Sequence, residues 1–270
     1  MTLGCISTSD TMAADILSVE GLTKSFGGLK AVDNVTFTAR DNAVTALIGP
    51  NGAGKTTVFN LITNIYPRSS GEVRFDGREI TGLSPMKVAQ TGLIRTFQSA
   101  RVFPGMTVLE NVLAGRHRLL RSSTLSQFFW TASSRREESA LQQRAEELLD
   151  LVGLLGARDM HAMDLPMGAQ KMLEVVRALM SRPRLLCLDE PAAGLNDKET
   201  EELADLLRAI RASGISVLIV EHNMGLVMGV ADHVVVLDAG TLIAQGLPSD
   251  IQENEKVIEA YLGRDEHAAA

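Results

Sequence analysis

"ALIGPNGAGKTT", Ala46 to Thr57, decides how the rest of the chain is read. Gly49, four residues and then Gly54-Lys55-Thr56 give the spacing of a phosphate-binding loop. The flanks fit, with a β-favouring apolar run before it and a helix-forming run behind it. Small residues let the backbone wrap an anion, and amides at the start of a helix point at it. Gly49, Asn51, Gly52, Ala53, Gly54, Lys55, Thr56 and Thr57 are therefore the nucleotide-binding candidates. Lys55 is placed to reach β- and γ-phosphates and the Thr56 hydroxyl to ligate Mg²⁺.

Working outward, "LLCLDEP" puts Asp189 and Glu190 at the end of a fully apolar strand. Asp189 suits a metal bound to phosphates, and Glu190 can orient or deprotonate an attacking water. An Asp-Glu pair after a strand is otherwise a common solvated strand end; behind a phosphate loop the pair acquires chemistry. "VLIVEHNM" places His222 just beyond another buried strand, at the edge where such sheets hold ligands. The other histidines lack that context and read as surface or packing residues.

The organisation around these motifs is α/β. Residues 17–81 are strand-rich, with "VTFTAR", "AVTALIG" and a hairpin-like "GEVRFDG". "LSPMKVAQTG" reads as a short helix, with Ser84 as N-cap, Pro85 at its first position and Gly92 beyond its end. From about 108 to 180 the pattern is helical; Ala145, Leu148, Leu149 and Val152 form one stripe. Strand and helix then alternate. The Asn196…Glu199 capping spacing starts a helix that carries Leu203, Leu206, Leu207 and Ile210 on one face and stops near Gly214. Apolar strands between helices imply a parallel sheet covered on both faces. The expected boundaries are a loose extension over 1–15 (Met12 being an alternative start), a sheet core over about 16–90 and 181–245, and a helical insertion over about 91–180. A single C-terminal helix over about 249–263, capped by Ser249, and a frayed tail over 264–270 complete the chain.

Composition narrows the partners. The 270 residues are 45% hydrophobic, enough for one large core or two modest ones. With 26 basic against 33 acidic residues, the net charge of −7 argues against a sequence-independent nucleic-acid binder. Cys5 and Cys187 are the only cysteines, which excludes a disulfide framework or zinc site and fits a reducing cytoplasm. No apolar run approaches the roughly 20 residues that cross a bilayer, and the start lacks the basic and apolar regions of a signal peptide.

From Leu17 to Gly263 the chain resembles the ATP-binding subunit of ABC transporters, a P-loop NTPase sheet domain with an antiparallel β subdomain and an inserted α-helical subdomain. "RTFQSARVFPGMTVLENVLAGRH", "LDEPAAGLN", "VEHNMGLVMG" and "VIEAYLG" resemble the ATPases of branched-chain amino-acid importers in particular. The resemblance implies that Phe26 stacks on adenine, that Gln98 joins metal and water to a membrane partner, and that His222 contacts the γ-phosphate. Gly194, Leu195 and Asn196 fall in a loop that crosses a dimer interface. In the implied dimer, each ATP lies between one subunit's phosphate loop and the other's signature helix.

That signature is "DLPMGAQK". Aligned on Leu165 and Gln170, Pro166 replaces the family's serine, Met167 its first glycine and Ala169 a glutamine, while Gly168 stays. Proline supplies no hydroxyl, so a hydrogen bond to phosphate worth about 1.5–3 kcal/mol is missing. It suits the first turn of a helix, however, and the amides near Met167 and Gly168 remain. The insertion also carries Phe128, Phe129 and Trp130 among the basic residues Arg116, Arg118, Arg121, Arg135 and Arg136, which read either as a membrane or permease contact or as packing and a solvated face.

The implied partners are a second ATPase subunit (a sister chain or a copy of this one), membrane permeases and, indirectly, a periplasmic or extracellular solute-binding protein. The implied place is the cytoplasmic face of the inner (plasma) membrane. A lipid- or polysaccharide-export ATPase, a nucleic-acid- or ribosome-associated ATPase, and a regulatory module with dead chemistry are the competing readings.

Overall fold

The computed structural model describes residues 14–96, 102–118 and 132–265. β1 (Asp15–Phe26) and β2 (Leu29–Arg40) pair antiparallel, and β3 (Val44–Ile48) then leads into α1 (Lys55–Ile62). β4 (Ser70–Phe75) and β5 (Arg78–Glu79) form the expected hairpin around Asp76-Gly77. α2 (Pro85–Thr91) begins at Ser84, whose hydroxyl accepts from the Lys87 amide, and ends at Gly92 with φ +112°.

β6 (Leu93–Arg95) follows, then α3 (Val108–Ala114), α4 (Ala132–Leu151) and α5 (Met167–Met180). The remainder is β7 (Leu185–Asp189), α6 (Asp197–Ala212), β8 (Ser216–Val220), α7 (Met224–Val230), β9 (His233–Asp238), β10 (Thr241–Gly246), α8 (Pro248–Gln252) and α9 (Glu255–Asp265). α6 carries both halves of the Asn196/Glu199 capping box.

Two sheets result, a four-stranded antiparallel one ordered β2-β1-β4-β5 and a six-stranded one ordered β10-β9-β3-β8-β7-β6. In the second, every pairing is parallel except that of β10 with β9. Side chains alternate across it. Leu185 and Cys187, Leu218 and Val220, and Val235 and Leu237 join a core shared with α1 and the antiparallel sheet. Leu186 and Leu188, Val217 and Ile219, and Val234 and Val236 join a second core under α5, α6 and α7. Period-two alternation between two apolar layers is why these strands read as unbroken apolar runs.

A third core holds the helical subdomain together, with Val108 and Val112 from α3 and Ala145 and Leu149 from α4. α5 belongs to two cores at once. Met172, Val175 and Leu179 face the sheet, whereas Leu173, Val176 and Met180 face the helical subdomain. The helix thereby fixes one body against the other.

Four sequence expectations need correction. The insertion does not begin at 91, because Leu93–Arg95 pairs with Leu185–Cys187 as an edge strand. Three residues are too few to show a period. The C-terminal segment is two helices rather than one: Asn254 interrupts it, its side-chain oxygen accepting from the amides of Lys256 and Val257. Ser249 consequently lies inside α8 and caps nothing, Leu247 being the N-cap. Helix also persists to Asp265, past the expected onset of fraying at 264. Residues 128–130, with their aromatic cluster, lie outside the described residues.

α3 and α5 touch at Gly115, where an added Cβ would sit 2.0 Å from the Arg177 carbonyl oxygen. A backbone atom cannot swing aside. Gly115→Ala should therefore destabilise the protein by about 1–3 kcal/mol, the usual scale of overpacking, read by denaturant unfolding. An unchanged midpoint would mean that the two helices are not this close.

Candidate functional site

The phosphate-binding loop is built by close approach. β3 leaves the sheet at Gly49, with φ +149° and an ideal Cβ 2.0 Å from the Leu237 carbonyl oxygen. Gly54 caps α1 in the left-handed region, φ +96°, with its ideal Cβ 2.6 Å from the Ala31 carbonyl oxygen. A side chain at either place would push the loop off β9 or β2. The β9–β10 turn completes the wall, since the Gly240 amide donates to the Ala53 carbonyl at 3.1 Å. Asn51 and Gly52 are exposed, Thr56 and Thr57 half-buried and Ala53 buried. Lys55 folds back into the loop, and its ammonium donates to the carbonyls of Gly49 at 2.7 Å and Pro50 at 3.0 Å. The first-turn amides of α1 have no acceptor within the helix and carry the positive end of its dipole. The result is an anion cradle with a buried cation at its base.

Asp189 ends β7 and is 2% exposed. Its Oδ2 accepts from an Arg95 guanidinium nitrogen at 2.8 Å, while its Oδ1 is buried without a hydrogen-bond partner. Burial pushes the carboxyl above the ordinary range, and Arg95 pulls the other way. Arg95 also donates to the Asn60 side-chain oxygen at 2.7 Å and the Thr63 hydroxyl at 3.2 Å, which ties Asp189 to the helix behind the cradle. A buried oxygen lacking a partner beside an anion cradle suits a cation that the anion brings with it. Among the described residues no cluster of His, Cys, Asp or Glu could hold a metal alone. Mg²⁺ is usually held by one or two carboxylates together with substrate phosphates rather than by an all-protein cluster.

Glu190 follows with φ +49°. This conformation costs a non-glycine residue about 1–3 kcal/mol and persists only where surroundings enforce it. Here the Glu190 amide donates to the Val220 carbonyl at 2.9 Å and its carbonyl accepts from the Ala193 amide at 3.1 Å. The side chain is half-buried at the sheet edge, and His222 is exposed just past β8 on the same edge. At the end of β1, Phe26 is 46% exposed, with Tyr66 edge-on at 5.8 Å and the Lys24 ammonium 4.8 Å from its ring centroid.

The "LPMGAQ" segment is placed elsewhere. Pro166 is the N-cap of α5, one position earlier than the first-turn site expected, and supplies no side-chain cap. The Gln170 amide donates to its carbonyl at 3.0 Å, and the Gln170 side chain reaches the Leu165 carbonyl at 2.8 Å. Gly168 is buried against α6; a Cβ there would lie 2.2 Å from a carboxylate oxygen of Glu199, itself held by Asn196. Exposed Met167 approaches Gly194, which has φ +77° and leads through half-buried Leu195 to Asn196. Leu165, Pro166, Gly168 and Gln170 are thus grouped with the 194–196 loop at the start of α6. Gln98 lies outside the described residues.

Sequence reasoning missed Arg95, Tyr66, Lys171 and Glu221. A basic residue in the apolar "GLIRTF" run was the available signal for Arg95, and an acidic residue closing "VLIVE" the signal for Glu221. Tyr66 and Lys171 gave none.

The ABC transporter family model matches residues 32–193, and a model of the branched-chain amino acid ATP-binding cassette transporter matches 241–267. The chain is 46% identical over 253 residues to the high-affinity branched-chain amino acid transport ATP-binding protein BraF of Pseudomonas aeruginosa, covering 93% of this chain and 99% of that one. Identity to LivG of Escherichia coli, which carries the same description, is 43% over the same shares. A nucleotide-free ATP-binding cassette from an ABC transporter superposes with TM-score 0.79 at 33% identity, covering 92% of this chain and 99% of the other. An ADP-bound conformation of such a cassette gives 0.80 at 33% identity over 93% and 99%. The chain belongs to the ABC transporter family, among its branched-chain amino acid transport ATP-binding proteins.

Proposed function

We propose that this chain binds and hydrolyses ATP to drive a membrane importer of branched-chain or related amino acids. One observation carries the proposal: the phosphate cradle, Asp189-Glu190 and His222 occupy the carboxyl ends of three adjacent parallel strands, β3, β7 and β8. The transported class follows from the relatives' described role. No feature among the described residues favours export or nucleic-acid binding.

ATP stacks its adenine on Phe26 and lays its phosphates in the cradle. Amides from Asn51 to Thr57 hold the oxygens, and Lys55 reaches the β- and γ-phosphates. Mg²⁺, when bound, neutralises charge building on those phosphates, and Thr56, Asp189 and Gln98 are the residues that would hold it. Glu190 orients water against the γ-phosphorus and accepts its proton as the water oxygen bonds to phosphorus and the bond to the β-phosphate oxygen breaks. His222 steadies the γ-phosphate.

The site is completed by a second ATPase subunit, whose nucleotide is met by Pro166–Gly168 and Gly194–Asn196, grouped together at the start of α6. Free amides at the start of α5 then meet the partner's nucleotide. Among the described residues no helix is long and apolar enough to cross a membrane. In this reading permease subunits supply the pathway, with this chain peripheral on the cytoplasmic side and a solute-binding protein delivering the substrate. Phe103, 45% exposed with the Arg177 guanidinium 4.9 Å from its ring, precedes α3 and is assigned to the groove that receives the permease.

Two mutations test the engine. Lys55→Ala should weaken ATP binding by about 2–3 kcal/mol, the scale of a charge-assisted contact, measured by calorimetry. Glu190→Gln should keep that affinity and lose turnover at least ~100-fold in the reconstituted complex. Normal turnover in the Glu190 variant would remove its role as base.

The proline has its own test. Pro166→Ser should add a phosphate contact in the ATP site of the partner. ATP trapping is measured at each site separately, one silenced by a phosphate-loop mutation. Tighter trapping only at the site containing this chain's Lys55 would contradict the shared-site arrangement.

A further inference from the structure

Two charges close to the site have no part in the roles above. Glu221 is 0% exposed, yet both of its carboxylate oxygens are used. Oε1 accepts from the Ala192 amide at 2.7 Å, and Oε2 accepts from the amides of His222 at 3.0 Å and Asn223 at 3.2 Å. Lys171, in the second turn of α5, donates to the Pro191 carbonyl at 3.2 Å and also to the Ala193 carbonyl. A buried charge is costly unless hydrogen bonds replace its water, and here backbone groups replace it on both sides. Burial lowers the Lys171 pKa, with Glu221 the foremost group opposing that shift.

The tripeptide Pro191-Ala192-Ala193 is thus gripped at carbonyl, amide and carbonyl in turn. It begins directly after Glu190, whose left-handed backbone needs outside enforcement, and ends before left-handed Gly194. On one side the grip comes from α5, which is anchored in two cores. On the other it comes from the residue that also holds the amides of His222 and Asn223.

We infer that Lys171 and Glu221 are positioning residues, clamping Pro191–Ala193 between α5 and the end of β8 so that Glu190 and His222 are held in the geometry that hydrolysis needs. The inference rests on the ATPase reading above. Neither side chain touches nucleotide; both act through backbone. Removing the ammonium leaves two carbonyls to find other donors, and the Glu190 turn loses one wall. Small misplacements of reacting groups cost large factors in rate while leaving distant binding contacts intact.

The test uses the complete complex with its permease and partner ATPase, carrying Lys171→Met, Lys171→Arg or Glu221→Gln. Lys171→Met should lower kcat for ATP about 10-fold or more with KM little changed, and Lys171→Arg should recover most of the loss. In a Glu190→Gln background, Lys171→Met should give little further loss, since contacts acting through one group are not additive. Glu221→Gln, which keeps one acceptor oxygen, should fall between. Should Lys171→Met fold poorly, the shorter Lys171→Leu, which likewise carries no donor, is read the same way. A lowered Tm with unchanged kcat would reduce the clamp to a structural feature and overturn the inference. A raised KM with kcat unchanged would also overturn it. An equal further loss beside Glu190→Gln would overturn it too, while leaving the role of Glu190 standing. Normal turnover in Glu190→Gln alone would sink the underlying ATPase reading and the clamp with it.

Discussion

Everything at the site depends on the parallel register of β3, β8 and β7. Val220, the last residue of β8, pairs with Leu47 on one side and Asp189 on the other. That one cross-strand row makes the three strands stop together. The phosphate cradle, the Asp189-Glu190 pair and Glu221-His222 then emerge along a single edge, although about 170 residues separate the first from the last. A one-residue slip would exchange the side chains of β8 between the two cores and carry the site with them. The two cores above and below the sheet hold the register, because each strand contributes alternate side chains to both.

Close backbone approach is the second constraint. Gly49 and Gly54 let the cradle press against β9 and β2, and Gly168 lets the start of α5 press against Glu199. The third packing layer then matters for function, since α5 is wedged between the sheet and the helical subdomain. Its amino end cannot move without disturbing one core or the other. The same wedge carries Lys171 to the loop behind Glu190. The strained φ of Glu190 is the local consequence of a chain that must leave the sheet edge sharply and still hydrogen-bond to β8.

What the sequence revealed was local chemistry. Glycines that must be glycines, the Ser84 and Asn196 caps and the strand-end carboxylates are each written within a few residues, so their geometry could be read directly. What it concealed was pairing at a distance. Arg95 looks like an interruption in a short apolar run, and only the fold shows it buried against Asp189, Asn60 and Thr63. Strand β6 escaped because three residues carry no periodicity. The break at Asn254 escaped because an asparagine cap inside a helical pattern resembles any other polar position. Pro166 was legible as a helix-starting residue but not as the N-cap itself, since proline serves either place sterically.

The central claim is that one edge of this sheet is half of an ATP site and that α5 of another subunit supplies the other half. A structure of the Glu190→Gln variant in its assembled complex with MgATP tests this most directly. It should show the γ-phosphate against Lys55 and His222 of one chain, with first-turn amides of the partner's signature helix at hydrogen-bond distance, about 2.7–3.2 Å. A nucleotide held only by its own chain, with the signature helix of the partner out of reach, would contradict the account.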